Sequence, residues 1–256
     1  MNSFIPEVVS KSLELKSRHH IQFTNLQFGS VDFFKTADLL SPFTFKTPSV
    51  PSDQTVLETL LTHMGSIKIR VRTGDYAHPY KYIHDRKYEE LDFKEYIRNF
   101  SAVGQKGYAG NVKISWPAFL PLFESCNFNE ELYESPSIWI GPTDSITPLH
   151  IDGLDNISFQ LMGKKRWILI DPIYYSSLQM IAPFSEFPNL HVSEIDLREG
   201  FSILEERSIP THLVAVDKGE GLYLPAGWGH FVLTDSPSVM VNLWANKKSC
   251  KPRILK

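Results

Sequence analysis

The chain has 256 residues, enough for one large domain with a sizeable core, and its 42% hydrophobic, 12% aromatic and 21% charged composition excludes a disordered or fibrous protein. A formal net charge of -3 gives no overall attraction to nucleic acid or an anionic membrane surface. No run approaches the ~20 apolar residues that cross a bilayer, and the N-terminal MNSFIPEVVSKSLELKSRHH lacks an apolar signal region, so a soluble intracellular protein, cytoplasmic or nuclear, is expected.

Along the chain, Val8, Val9, Leu13 and Leu15 fit a short helix within residues 5–15. PFTFKT at 42–47 alternates between Ser41 and Pro48, the pattern of a strand. Ser52 and Asp53 offer capping oxygens to a helix carried by Val56, Leu57, Leu60 and Leu61, with Gly65 as its stop. From 66 to 72, Ile67, Ile69 and Val71 alternate with Lys68, Arg70 and Arg72, which predicts a half-buried strand with a solvated basic face. LDFKEYIRNF at 91–100 places Leu91, Phe93, Tyr96, Ile97 and Phe100 at helical spacing. No repeat, low-complexity tract or Gly/Ser linker appears, so one domain over 1–256 is expected, with 1–106 as flanking α/β elements and 107–246 as a β core. Cys126 and Cys250 have no metal or redox spacing, and two free thiols are expected ahead of one long-range disulfide.

Beyond 107 the pattern turns to short strands at 108–115, 137–141, 147–152, 156–161, 165–170, 221–224, 230–234 and 239–244, with an aromatic-rich turn or short helix at 116–123. Asn156, Ser158 and Gln160 share one face and Ile157, Phe159 and Leu161 the other; Lys165, Trp167 and Leu169 share a face, as do Met240, Asn242 and Trp244. Met162-Gly163-Lys164 predicts a hairpin turn, and the Pro-containing stretch 171–216 a long irregular connection. Many short antiparallel strands between turn signals imply a barrel or sandwich.

The chemistry concentrates in SIWIGPTDSITPLHIDGLDNISFQLMGKKRWILIDP at 137–172. Residues two apart on a strand project from one face, so His150 and Asp152 can converge on one point suited to a metal ion. His230 in GLYLPAGWGH is the candidate third ligand. Two imidazoles and one carboxylate on one side of a metal make the facial triad of non-haem Fe(II) oxygenases. Lys165, fifteen positions past His150, reads as lying on a neighbouring strand.

Four motifs together resemble the JmjC/cupin-like 2-oxoglutarate oxygenases: Thr-Pro-Leu-His-x-Asp at 147–152, Gly-Lys-Lys-Arg-Trp at 163–167, Leu-Pro-x-Gly-Trp-x-His at 224–230 and Val-Asn-Leu-Trp at 241–244. The likeness covers roughly residues 40–246 and is greatest to the small hydroxylase branch, which includes asparaginyl and other protein hydroxylases. It implies a mainly β fold, a double-stranded β-helix (jelly-roll, cupin-like) barrel with N-terminal flanking helices and strands. By the same resemblance His150, Asp152 and His230 match the iron ligands, and Lys165 matches the lysine that pairs with the distal carboxylate of 2-oxoglutarate. Thr147 matches a hydroxyl bonding that carboxylate, Tyr108 a tyrosine that helps hold it, and Asn156 and Asn242 amide positions near the iron and the co-substrate's first carboxylate. A core tyrosine and purely structural amides are the competing readings for the last three.

The implied cofactor is Fe(II), with 2-oxoglutarate and O2 as co-substrates, and the implied reaction is hydroxylation with release of succinate and carbon dioxide. Two departures from the family stand out. Gly229 occupies a position where relatives carry a bulky aromatic, which predicts open space beside His230, and only twelve residues follow Trp244, without the helical extension that dimerises relatives. Oligomeric state is therefore left open. Three functions compete: hydroxylation of a protein or peptide side chain; the same chemistry on tRNA or a small metabolite, or as N-demethylation; and a non-catalytic metal-containing cupin-like binding module. A basic strip beside the pocket would favour RNA, and no membrane partner is expected.

Overall fold

The computed structural model describes residues 22–28 and 41–245, apart from 48, 85, 103, 106, 124–127 and 182–189. The helix expected within 5–15 and both cysteines, Cys126 and Cys250, lie outside the described residues.

β1 (Gln22–Gln27) and β2 (Phe43–Lys46) precede helix α1 (Asp53–Met64). The Ser52 side chain accepts from the Thr55 amide and satisfies one of the helix's free N-terminal donors, while Val56, Leu60 and Met64 bury one stripe. β3 (Lys68–Thr73) and β4 (Lys87–Asp92) form a two-stranded antiparallel ribbon around the short helix α2 (Pro79–Ile83). Helix α3 (Phe93–Asn99) starts later than its sequence pattern suggests, because Leu91 pairs with Ile69 in the ribbon. Neither β4 nor α2 is evident from the sequence, since β4, KYEELD, is mostly exposed and has no alternation to read.

β5 (Ala109–Lys113) and the short helix α4 (Trp116–Phe119) lead into the barrel strands β6 (Ser137–Gly141), β7 (Ile146–Asp152), β8 (Asn156–Met162) and β9 (Lys164–Ile170). The stretch 171–216 is less irregular than expected: it contains β10 (Leu190–Val192), helix α5 (Ser202–Glu206) and most of β11 (His212–Asp217). β12 (Glu220–Leu224), β13 (Gly229–Thr234) and β14 (Ser238–Trp244) follow.

A seven-stranded sheet runs β1-β2-β12-β8-β14-β6-β5 and a five-stranded sheet β10-β7-β13-β9-β11. Strands β6 to β9, and again β11 to β14, therefore alternate between the two sheets, which is the winding of a jelly-roll double-stranded β-helix. The turn at Gly163 consequently does not close a hairpin. It carries the chain from β8 in one sheet to β9 in the other, where β9 pairs with β11 and β13. Gly163 has φ +70°, and a Cβ there would sit 2.2 Å from the Pro237 carbonyl oxygen, so both backbone hand and space demand glycine.

The layers explain the three largest apolar clusters. The outer face of the large sheet, with Ile157, Phe159 and Leu161, packs on Val56, Leu60, Phe93 and Phe119 from the helices. The outer face of the small sheet, with Leu149, Ile168 and Phe231, is covered by Leu178, Ile195, Phe201 and Leu204 from the connection before β11. Between the sheets, Trp139, Trp167, Leu222, Val232 and Met240 line the interior. Among the described residues no helix is long and apolar enough to cross a membrane.

Replacing Gly163 with alanine is expected to lower unfolding free energy by at least about 2 kcal/mol, from left-handed backbone strain plus the carbonyl clash. Chemical denaturation with unchanged slope against denaturant measures it.

Candidate metal centre

β7 and β13 are adjacent in the small sheet, and their antiparallel register sets His230 directly opposite His150. The two rings lie 3.9 Å apart between centroids at 52°. Asp152, two residues along β7, brings its Oδ2 to 3.6 Å from His230 Nε2. The ligand atoms of His150, Asp152 and His230 all fall within 4.8 Å of one another, a group that could hold a metal ion.

The ring orientations are set by neighbouring carbonyls. His150 Nδ1 lies 2.8 Å from the Pro148 oxygen and His230 Nδ1 lies 3.0 Å from the Trp228 oxygen. A carbonyl can only accept, so each Nδ1 donates and each Nε2 presents a lone pair to the shared space. Burial pushes His150 down to about 4 and His230 down to about 3, the nearby imidazole adding to the effect on His230. Both rings are thus neutral near pH 7, the form that ligates metals. Burial raises the Asp152 carboxyl, against the pull of His230 and a hydrogen bond from Trp244. Trp167 stacks on His230 at 5.7 Å and walls one side.

Lys165 is fully buried, and it is not on the strand next to His150: β13, with His230, intervenes. Register instead places Lys165 opposite Thr234. Its Nζ lies 3.2 Å from Thr234 Oγ1 and 3.3 Å from Tyr108 Oη, and 5.2 Å over the Tyr108 ring. Tyr108 Oη is in turn 3.4 Å from Thr147 Oγ1. Among the described residues no carboxylate pairs with this ammonium, and burial alone pushes its pKa down to about 7. One amine and three hydroxyls around one point suit a carboxylate ligand.

Two features of this cluster were hidden in sequence. Thr147 and His150 are three apart and should face opposite ways, but the register shifts opposite His230–Val232, where three steps of β7 match two of β13, and this restores both to the interior. Thr234 was missed altogether, although its even spacing from His230 was a usable signal. Asn156 and Asn242 meet each other in the large sheet, Asn242 Nδ2 donating to Asn156 Oδ1 at 2.7 Å. Neither has a hydrogen bond to the His–Asp–His group among the described residues, while Asn242 Oδ1 is buried without a partner.

Two expectations need correction. Gly229 leaves no open space beside His230, because a Cβ there would meet Leu178 at 3.2 Å and Ile170 at 3.3 Å. Its side-chain direction points into the outer apolar layer rather than the interior. Arg72 is not part of a solvated face: its guanidinium is half-buried, 4.2 Å over the Tyr82 ring, in the wall of a cavity of about 820 Å³ that also includes His150, Asp152, Trp139 and Trp244.

A jelly-roll barrel enclosing two imidazoles and a carboxylate defines the class. The chain belongs to the cupin-like domain family, whose profile matches residues 48–249, and within it to the JmjC/cupin group. It is similar to JmjC domain-containing protein C of Dictyostelium discoideum (30% identity over 138 residues, 48% of this chain and 31% of that protein). It is similar also to lysine-specific demethylase JMJ30 of Arabidopsis thaliana (31% over 117 residues, 43% and 26%) and human HSPB1-associated protein 1 (30% over 117 residues, 43% and 23%). The chain thus spans under a third of the length of these relatives. JmjC proteins are generally Fe(II)- and 2-oxoglutarate-dependent oxygenases.

The buried ammonium yields a sharp expectation for stability. The folded pKa of Lys165, about 7, lies below the ordinary 10.5, so between those values the unfolded chain holds a proton that the folded chain lacks. Stability of the ligand-free protein therefore gains a rising contribution from pH 7 toward 10.5, and Lys165→Met removes it. The difference between wild type and variant in denaturant midpoint should shrink from pH 7 to pH 9, with the variant more stable by about 1–3 kcal/mol at pH 7.

Proposed function

We propose that the chain is an Fe(II)- and 2-oxoglutarate-dependent oxygenase that hydroxylates a protein side chain and releases succinate and carbon dioxide. The observation that carries this reading is the buried Lys165 ammonium, unpaired among the described residues and ringed by the hydroxyls of Thr234, Tyr108 and, through Tyr108, Thr147, in the same interior as His150, Asp152 and His230. A bare metal site would give no reason to keep such a cation out of water.

In this reading His150 and His230 offer neutral Nε2 atoms and Asp152 a carboxylate oxygen to iron, all from one side. Lys165 and Thr234 hold the distal carboxylate of 2-oxoglutarate by charge and hydrogen bonds, with Tyr108 and Thr147 completing the shell. The Asn156–Asn242 pair is assigned to the inner end of the co-substrate, where the unpartnered Asn242 Oδ1 and the second amide proton of Asn242 remain to be used. When bound, iron and 2-oxoglutarate supply the oxidising power: the co-substrate is decarboxylated to succinate, and one oxygen atom of O2 enters succinate and the other the substrate. The chain's own part is to aim the ligands and to exclude water. Trp139, Trp167, Val232 and Met240 make the interior dry enough for the Lys165 charge to count.

The family supports the cofactor assignment, and the printed names of two relatives, a lysine-specific demethylase and an HSPB1-associated protein, favour a protein substrate. The first name also favours a second reading, oxidation of an N-methyl carbon, which ends in loss of formaldehyde rather than a stable alcohol.

Succinate release across peptide, tRNA and metabolite pools, with mass spectrometry for a gain of one oxygen, tests the reading. Turnover is expected with peptides, none with Asp152→Ala, and Lys165→Ala should need about ten- to a hundredfold more 2-oxoglutarate. Binding of 2-oxoglutarate requires Lys165 protonated, so its affinity should fall by about tenfold per pH unit above 7. Metal binding without succinate from any pool would sink the oxygenase reading and leave a binding module.

A further inference from the structure

The wall of the cavity over His150 and Asp152 carries five cationic side chains, Lys68, Arg70, Arg72, Arg86 and Lys113, against the carboxylates of Glu134 and Asp152. Three of them alternate along β3, and the ladder with β4 treats them differently. Lys68 faces Asp92 and Arg70 faces Glu90, so each outer charge has a carboxylate directly across the strand pair. Arg72 faces Tyr88.

Arg72 is also the innermost of the three. Its guanidinium lies 4.2 Å over the Tyr82 ring and 5.8 Å over the Trp139 ring and also hydrogen-bonds the Tyr82 side chain, which holds the planar group in place without satisfying all of its protons. Arg72 Nη1 is shielded from solvent with no hydrogen-bond partner among the described residues, and so is Trp139 Nε1. Two buried donors without acceptors among the described residues, one on a permanent cation, in a wall shared with His150, are costly unless an acceptor arrives.

We propose that Arg72 and Trp139 form a receptor for one carboxylate of the substrate polypeptide, so that the enzyme selects a segment with aspartate or glutamate at or beside the residue presented to the metal. This rests on the oxygenase reading for the fate of that residue, not for the binding itself. A phosphodiester chain fits less well. Such a polyanion tracks a run of unpaired cations, whereas here the outer charges are already faced by Asp92 and Glu90, and Glu134 and Asp152 sit in the same wall.

The test is retention of a positional library of short end-capped peptides on the full, metal-free protein, comparing acidic residues with their amide counterparts at each position. Wild type should favour Asp or Glu at one position by about tenfold or more, Arg72→Gln should abolish the preference, Arg72→Lys should restore part of it, and Lys68→Gln should leave it intact. No acidic preference in wild type overturns the proposal without reference to any variant, as does a preference that survives Arg72→Gln. A mixed-sequence single-stranded RNA that binds through Arg72 and displaces the acidic peptides overturns it in favour of nucleic acid. Thermal stabilisation by Mn(II) plus 2-oxoglutarate, run in parallel on wild type and Arg72→Gln, separates the two readings. Stabilisation without acidic preference fails only the carboxylate receptor, and acidic preference without stabilisation fails only the oxygenase.

Discussion

An ammonium group held away from water with no counter-ion among the described residues is the constraint around which this barrel makes sense. Lys165 could reach solvent from a rim position, yet it is fully buried, and among the described residues its hydrogen-bond partners are the hydroxyls of Tyr108 and Thr234. Burial on that scale penalises the charged form, and the tendency to lose its proton near neutrality is the direct expression of the cost. In the proposed oxygenase, a dicarboxylate co-substrate would remove the penalty by bringing the missing charge, provided that the other end of the molecule has somewhere to go. The His150, Asp152 and His230 cluster, reached along β13 from Thr234 to His230, would be that place.

The strand winding makes this economical. Because β6 to β9 and β11 to β14 alternate between sheets, β13 lies between β7 and β9, and one strand interleaves the two halves of the site. His230 meets His150 on one flank and Thr234 meets Lys165 on the other. The outer faces of both sheets are covered by separate apolar layers, so side chains pointing inward are free to be polar without leaving the barrel thinly packed. Gly163 and the irregular register of β7 against β13 are local costs of this winding, one a left-handed turn and the other a shifted face.

The cavity on the metal side has a different character from the Lys165 end. It is wide and ringed by β3, β5 and the strand bearing Trp139, with cations stacked on aromatic rings: Arg70 on Tyr88, Arg72 on Tyr82 and Trp139, Lys113 on Trp244. Such stacking orients a cation without neutralising it. Part of this wall, Arg70 and Arg72 on β3, belongs to the ribbon added outside the barrel, and additions of that kind are where recognition can vary on a common fold.

How legible this was follows from the range of each interaction. The helix capped by Ser52, the barrel strands and the grouping of His150, Asp152 and Lys165 within one stretch are written in local pattern, because capping, alternation and even spacing act over a few residues. Four motifs read together also pointed to the family that the profile match establishes. Locally invisible are the sheet to which each strand goes, so that the pattern around Gly163 implies a hairpin; the face of Thr147, decided by its partner strand; and the membership of Thr234. Arg72 was read as solvated because alternation identifies the face opposite Ile69 and Val71 but not what later packs on it, and Tyr82 and Trp139 arrive from 10 and 67 residues downstream. Sequence by itself determined which side chains are candidates for the site and on which kind of element they lie; tertiary structure alone decided which of them meet, since strand pairing and layer packing join residues that have no covalent reason to be neighbours.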